Sequence, residues 1–254
     1  MTTVKIIGDK ISASTAEQLD VKSQPANDAP TSDLLNTDAK LWTTFTTVDN
    51  SLTTPLVGFR AALKRLEDFV LGSIALLLLS PLMVIISILI KLDSTGPALY
   101  CQNRHGRNRE VIRVYKFRSM YQTGTEAKFK QAQKNDPRIT RIGAFLRRTS
   151  LDELPQLFNV IQGSMSLVGP RPHPIALDED FKYVIPALNS RYAVKPGITG
   201  WAQINGFRGE TSHVSDMVQR IEHDRQYIRR WSIGFDIKIL FMTVLKGWTH
   251  ENAY

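Results

Sequence analysis

The chain is poor in cysteine: Cys101 is the only one among 254 residues. A single thiol closes no disulfide within the chain and builds no thiolate metal site. Cys101 therefore reads as a buried or interfacial thiol. The five histidines show no metal-ligand spacing, and His223, on the polar side of its helical pattern, reads as solvated. There is no internal repeat. The first 50 residues hold no apolar run of secretory-signal length, which points to a cytoplasmic N-terminus. Large apolar residues are scarce from Ser12 to Thr54, where Ser, Thr, Asp, Ala and Asn dominate. Such a composition cannot form a core, so residues 1–58 read as a disordered polar leader, with Trp42 and Phe45 as candidates for a short docking element.

Charge is unevenly distributed. The chain carries a net +8, but residues 1–58 contribute four Lys against seven acids, leaving +11 on the remainder. A basic body behind an acidic leader suggests an anionic partner: nucleic acid, anionic lipid or a phosphorylated substrate.

From Phe69 to Ile90 there are 22 residues without a charge, enough to cross a bilayer as a helix. With no polar face, the run is a poor soluble core helix. Pro81 interrupts it, and Ser80 is placed to bond a carbonyl that the proline frees. Arg60, Lys64 and Arg65 precede the run while Lys91 and Arg104 follow it, which is not the one-sided bias of a simple crossing. A helix that bends at Ser80-Pro81 and leaves through the same leaflet accounts for both features. A kinked crossing remains the alternative.

Beyond Gly96-Pro97, β-like stretches fall at Ala98–Gln102 and Val111–Phe117, and Tyr121–Asp136 is polar, a surface helix or loop. Strand alternation would present Lys116 and Arg118 on one side. Arg138, Arg141, Arg147 and Arg148 form a basic cluster, which alone would fit a solvated or lipid-facing helix face. In the following Thr149–Asn159 segment, Ser150 and Glu153 have capping-box spacing and Asp152 falls in the first helical turn. These acids would then do no more than stabilise a helix start. The chemical reading is that a carboxylate beside arginines, its pKa depressed by them, attacks phosphorus through a covalent intermediate, while its neighbour holds a divalent cation. Gly169-Pro170-Arg171-Pro172 is a stiff turn that presents Arg171 for phosphate recognition. The turn-rich Lys195–Gly206 stretch holds Trp201, which would stack on a sugar or base or else pack in the core. Val214–Trp231 has the period of an amphipathic helix, and Ile233–Trp248 reads as a helix lying in the membrane interface or packed on the domain.

In this order, the Ser80-Pro81 run, KFRSM, DPRITRIGAFLRRTSLDELPQLFNVIQGSMSLVGPRP, KPGITGWAQING and the closing RIEHDRQYIRRWSIGFDIKILFMTVLKG resemble the bacterial sugar transferase family, the monotopic polyprenyl-phosphate phosphoglycosyl transferases. The resemblance covers about residues 60–254. It implies a helix-rich α/β fold with a re-entrant membrane helix over 59–95 and a catalytic domain over 96–254 bearing interfacial amphipathic helices. It also implies a place on the cytoplasmic face of the bacterial inner membrane and a requirement for Mg²⁺. Matched position by position, it makes Asp152 the nucleophile, Glu153 its metal-associated partner, and Lys116, Arg118, Arg147 and Arg171 the phosphate-binding cations. The C-terminal third is similar to members that move glucose-1-phosphate from UDP-glucose to undecaprenyl phosphate. Galactose-1-phosphate or an N-acetylhexosamine phosphate is the alternative cargo. Arg208 and Glu210 are candidates for sugar contacts, or an exposed pair that orders their loop. A homo-oligomer is compatible with the family. A membrane-tethered scaffold for anionic lipid is the non-enzymatic rival. A nucleic-acid module is disfavoured by the apolar run and by the lack of a recognition motif.

Overall fold

A computed structural model describes residues 56–121, 136–209 and 214–246. Residues 1–55 of the leader, residues 122–135, Glu210 and Trp248 lie outside them, while the leader's last residue, Gly58, begins a helix. Helix α1 (Gly58–Asp93) opens the described chain and runs 36 residues, roughly 54 Å at the helical rise. It continues through Pro81. The missing proline N–H frees the carbonyl of Leu77, and the Ser80 hydroxyl donates to that oxygen at 2.9 Å, as the sequence led us to expect.

The two halves of α1 live in different surroundings. In its first turns Lys64 and Asp68 are buried. Asp68 accepts from the Ser166 hydroxyl and the Leu167 N–H, each at 2.9 Å, and Lys64 reaches Asp236 at 2.7 Å. Further along, Met83, Ile86 and Ile90 pack on Phe117 and Leu146, while Leu77, Leu78, Val84 and Leu92 stay largely exposed. Only 17% of the most apolar 18-residue window is buried, so this is not the core helix of a water-soluble domain. An apolar band of this size needs a non-aqueous neighbour.

Strands β1 (Leu99–His105) and β2 (Val111–Phe117) form an antiparallel hairpin in which Leu99 pairs with Phe117 and His105 with Val111. Next come α2 (Arg141–Thr149), a 3-10 turn at Leu151–Glu153, α3 (Gln156–Gln162), β3 (Ser166–Val168) and α4 (Ile175–Phe181). A 3-10 stretch at Pro186–Ala193 leads to β4 (Gly197–Thr199), α5 (Trp201–Ile204), α6 (Val214–Arg230) and α7 (Ile233–Lys246). Strands β3 and β4 pair in parallel. Their approach explains a glycine: a Cβ on Gly197 would lie 2.1 Å from the Gly169 nitrogen, so the GPRP and KPGITG segments touch backbone to backbone. The fold is helix-rich α/β, with two small sheets among the described residues rather than one continuous one.

The core gathers Val114 of β2, Leu157 and Val160 of α3, Met165, Val168, Tyr227 of α6 and Ile239 of α7. Packing on Val160 fixes the crossing of α1, because a Cβ on Gly72 would come within 3.1 Å of that side chain. Helix α6 buries Met217, Val218, Ile221, Tyr227 and Ile228 as its period requires, but Arg220 and Asp224 are buried with them. Helix α7 buries Asp236 and Ile239 and exposes Ile237, Phe241, Val244 and Leu245. One face thus packs on the domain while the other is apolar and open.

Candidate active site

Helix α2 begins on Thr140, whose hydroxyl accepts the Gly143 N–H at 2.9 Å, and ends at Ser150, left-handed at φ 62°. The chain therefore reverses at Ser150 instead of starting a helix there. The expected capping box does not form. The Ser150 hydroxyl is buried without a partner among the described residues, and helix α3 starts only after Pro155. What forms instead is a tight turn that pushes Asp152 and Glu153, both buried, against the end of β2 and the GPRP loop.

Glu153 is surrounded by cations. Arg171 grips it in a fork, Nη1 donating to Oε2 at 3.0 Å and Nη2 to Oε1 at 2.6 Å. Lys116 Nζ donates to Oε1 at 2.9 Å, and Arg208 stands 3.9 Å from Oε2. Burial alone would raise the Glu153 pKa, but Arg171, Lys116 and Arg208 outweigh it and hold the carboxyl well below the usual range. Asp152 is the opposite case. Burial pushes its pKa up, Lys116 opposes this, and the Glu153 charge adds to the rise. The expectation of a depressed Asp152 is therefore corrected: its neighbour takes the arginine fork, and desolvation wins at Asp152. Its carboxylate accepts no hydrogen bond among the described residues. The turn thus offers one neutralised acid and one unengaged acid side by side.

The remaining predicted residues are distributed as follows. The Arg147 side chain, in the last turn of α2, makes no hydrogen bond among the described residues, but its charge lowers the Asp152 pKa. Arg118 is not beside Glu153. Strand β2 stops at Phe117, so alternation no longer governs Arg118, and its Nη2 turns back to the carbonyls of Ile90 and Ser94 at the end of α1. Trp201 packs on Phe235 with centroids 5.0 Å apart and donates its indole N–H to Gln226, a packing role away from the acidic turn. Ser80 and Pro81 lie far along α1, and Glu210 is outside the described residues.

Several residues were not foreseen. Arg104 donates to the Pro172 carbonyl and to Gln102. Burial, then the nearby Arg171 charge, brings its pKa down to about 10. Behind the GPRP loop lies a buried network. Asp178 faces His105 Nδ1 at 2.7 Å and His173 Nδ1 at 3.0 Å. Arg191 spans Asp224 at 2.9 Å and the Arg171 carbonyl at 2.7 Å. Arg220 donates to the Gly209 carbonyl at 2.6 Å. Burial and the Arg191 charge hold the His173 pKa well below its ordinary value, so it is neutral, and its Nε2 accepts from Arg191 at 2.8 Å. The backbones that carry Arg171 and Arg208 toward Glu153 are thus both held from behind. The histidines gave no signal because they serve carboxylates and guanidinium groups rather than a metal.

Both Glu153 oxygens carry hydrogen bonds from cations, two on Oε1 and one on Oε2, which leaves Oε2 one lone pair for the expected divalent ion. No group of three His, Cys, Asp or Glu stands together among the described residues.

The profile of the bacterial sugar transferase family matches residues 59–250. A UDP-glucose:undecaprenyl-phosphate glucose-1-phosphate transferase of Escherichia coli (strain K12) is 52% identical over 201 residues, 79% of this chain and 43% of that protein. An exopolysaccharide production protein of Rhizobium leguminosarum bv. phaseoli is 45% identical over 76% of this chain and 98% of its own length. An Aeromonas hydrophila protein named as a UDP-N-acetylgalactosamine-undecaprenyl-phosphate N-acetylgalactosaminephosphotransferase is 42% identical over 76% of this chain and 44% of its own. The chain therefore spans less than half the length of the first and last of these relatives. With the profile running through the apolar helix, the acidic turn and both loops that face it, the chain belongs to the bacterial sugar transferase family.

Proposed function

We propose that this protein transfers a hexose-1-phosphate from a UDP-sugar to a polyprenyl phosphate, with Asp152 as the nucleophile. The observation that supports this most is the division of labour in the acidic turn, where Glu153 absorbs the cations and Asp152 stays unengaged. An Asp152 carboxylate oxygen attacks the β-phosphorus, and the bond from that phosphorus to the oxygen bridging it to the α-phosphorus breaks. UMP leaves with the bonding pair, and the sugar phosphate remains on Asp152 as an acyl phosphate. An oxygen of the lipid phosphate then attacks the same phosphorus, releasing Asp152 and forming a diphosphate between lipid and sugar. Lys116, Arg147, Arg171 and Arg208 stabilise the charge that builds on the phosphoryl oxygens. Glu153 keeps Lys116 and Arg171 in place and is itself kept ionised by them. Divalent metal, if the reaction uses it, would enter on the diphosphate of the donor, and no step here depends on it.

The donor we favour is UDP-glucose, in keeping with the name of the Escherichia coli relative. The Aeromonas relative keeps an N-acetylhexosamine open. Helix α1 is read as re-entrant, with both ends on the cytoplasmic face of the inner membrane and the open face of α7 in the interface. The exposed apolar faces and the Ser80–Leu77 bond support this reading.

Protein incubated with UDP-glucose alone should gain the mass of a hexose phosphate on Asp152 and release UMP. Asp152→Asn should abolish both the label and turnover, and undiminished turnover by this variant would falsify the assignment. Competition between UDP-glucose, UDP-galactose and UDP-N-acetylgalactosamine, read by the mass of the lipid product, decides the donor. In a Cys101→Ser background, cysteines at the exposed Phe59 and at Asp93 should both be labelled from the cytoplasmic side only. Labelling of either from the periplasm would replace the re-entrant helix with a crossing.

A further inference from the structure

Away from the acidic turn, a small cleft of about 50 Å³, partly open to solvent, lies between the first turns of α1 and the segment entering β4. Four cations and one acid line it: Lys64, Arg65, Arg107, Lys195 and Asp68. Lys64 and Asp68 are already joined at 2.9 Å. Lys64 also meets Asp236, so this part of the wall is neutralised. Among the described residues the other three cations form no ion pair with a carboxylate. Arg65 donates to the Val160 and Ile161 carbonyls, each at 2.6 Å, which orients it without cancelling its charge. Arg107 Nε is buried without a partner among the described residues. Lys195 makes no side-chain hydrogen bond or ion pair among the described residues. Burial and then the charges of Arg65 and Arg107 lower its pKa, as expected of like charges crowded around one concavity.

We propose that Arg65, Arg107 and Lys195 form a second, non-catalytic phosphate-binding site, which takes the phosphate of an anionic lipid headgroup or of a soluble phosphorylated molecule. Two planar guanidinium groups and an ammonium around a solvent-open cleft suit phosphate oxygens, and bound phosphate relieves the mutual repulsion of the three. The site is distinct from the acidic turn. Val111 and Lys116, near opposite ends of β2, are separated by about 17 Å of strand rise, and Arg107 lies beyond the Val111 end. Its height on α1 favours the headgroup source. The Arg65 guanidinium lies 5.7 Å from the ring of Phe69, the first residue of the uncharged run, where the proposed membrane segment begins.

The test is thermal unfolding of the full chain in neutral detergent. Inorganic phosphate is compared with chloride at matched ionic strength, and dihexanoyl-phosphatidylglycerol with dihexanoyl-phosphatidylcholine. Phosphatidylglycerol, with or without inorganic phosphate, should raise the midpoint if the source is a headgroup, whereas inorganic phosphate alone should do so if it is soluble. In either case R107Q/K195Q should weaken apparent affinity by at least about tenfold. R107K/K195R should retain the effect, separating loss of charge from loss of fold. Arg171→Gln, which belongs to the other site, should also retain it. No anion-specific stabilisation, an effect that survives R107Q/K195Q, or one lost in Arg171→Gln would overturn the proposal. None of these readouts requires transferase activity, so the result stands apart from the fate of the proposed reaction.

Discussion

Asp152 and Glu153 are adjacent and both buried, yet their pKa values move in opposite directions, and this has consequences for pH and stability. A nucleophile must be ionised, so activity should fall as pH drops through the raised Asp152 pKa. The acid limb of kcat/KM should therefore lie above the ordinary carboxylate range near ~4. Lys116→Gln removes the charge that most opposes the rise, so it should move that limb upward and lower kcat/KM by about 10²-fold or more. A group whose folded pKa is raised costs stability above its unfolded pKa. Asp152→Asn should accordingly unfold later by roughly 2–4 °C while turnover is lost. Glu153 is the mirror case. Its depressed pKa contributes stability through neutral pH, which is lost only when pH falls below the usual carboxylate range. Glu153→Gln should cost about 3 kcal/mol, because Arg171 and Lys116, both partly buried, lose their counter-charge. Calorimetry of the two variants across pH checks both signs. Lys116, Arg171 and the acidic pair could be found from sequence because each lies in a compact motif. Arg118 was misplaced because alternation was carried one residue past the strand. The His173 network was invisible because His105 and Asp178 meet across 73 residues.

At the level of elements, α1 joins a buried ionic anchor to an apolar shaft. Its length, its lack of a polar face and the Ser80 remedy for Pro81 were all legible, since each depends on local sequence alone. The anchor was not: Lys64 read as a basic flank, and only the fold brings Asp236 to it. Lys64→Met leaves Asp68 and Asp236 without their cation, and should cost about 3–5 kcal/mol by denaturant titration in detergent. Helix α6 shows the limit of periodicity. Its apolar stripe located the helix, but Arg220 and Asp224 share the buried face, and a hydrophobic pattern counts such residues as solvent-facing. The capping-box motif misled for a related reason. Spacing alone does not distinguish a serine that starts a helix from one that ends the preceding helix in a left-handed turn.

Across the whole molecule, the described residues account for every part assigned to chemistry except Glu210. Removal of residues 1–55 should therefore leave activity in purified membranes within about tenfold, roughly 1.4 kcal/mol in barrier height. A larger loss would show that the leader takes part in the site.

The support behind Arg171 and Arg208 bears on how such enzymes can be recombined. Arg191, from the stretch before β4, bonds both the Arg171 carbonyl and Asp224 on α6. Arg220, also on α6, holds the Gly209 carbonyl. Swapping only residues 201–254 with a relative of different donor would import one half of these couplings and orphan the other. Chimeras joined ahead of Gly169 should stay active and carry the incoming preference. Those joined between Lys195 and Asn205 should fold poorly or turn over slowly, because the exchangeable module begins at the GPRP loop.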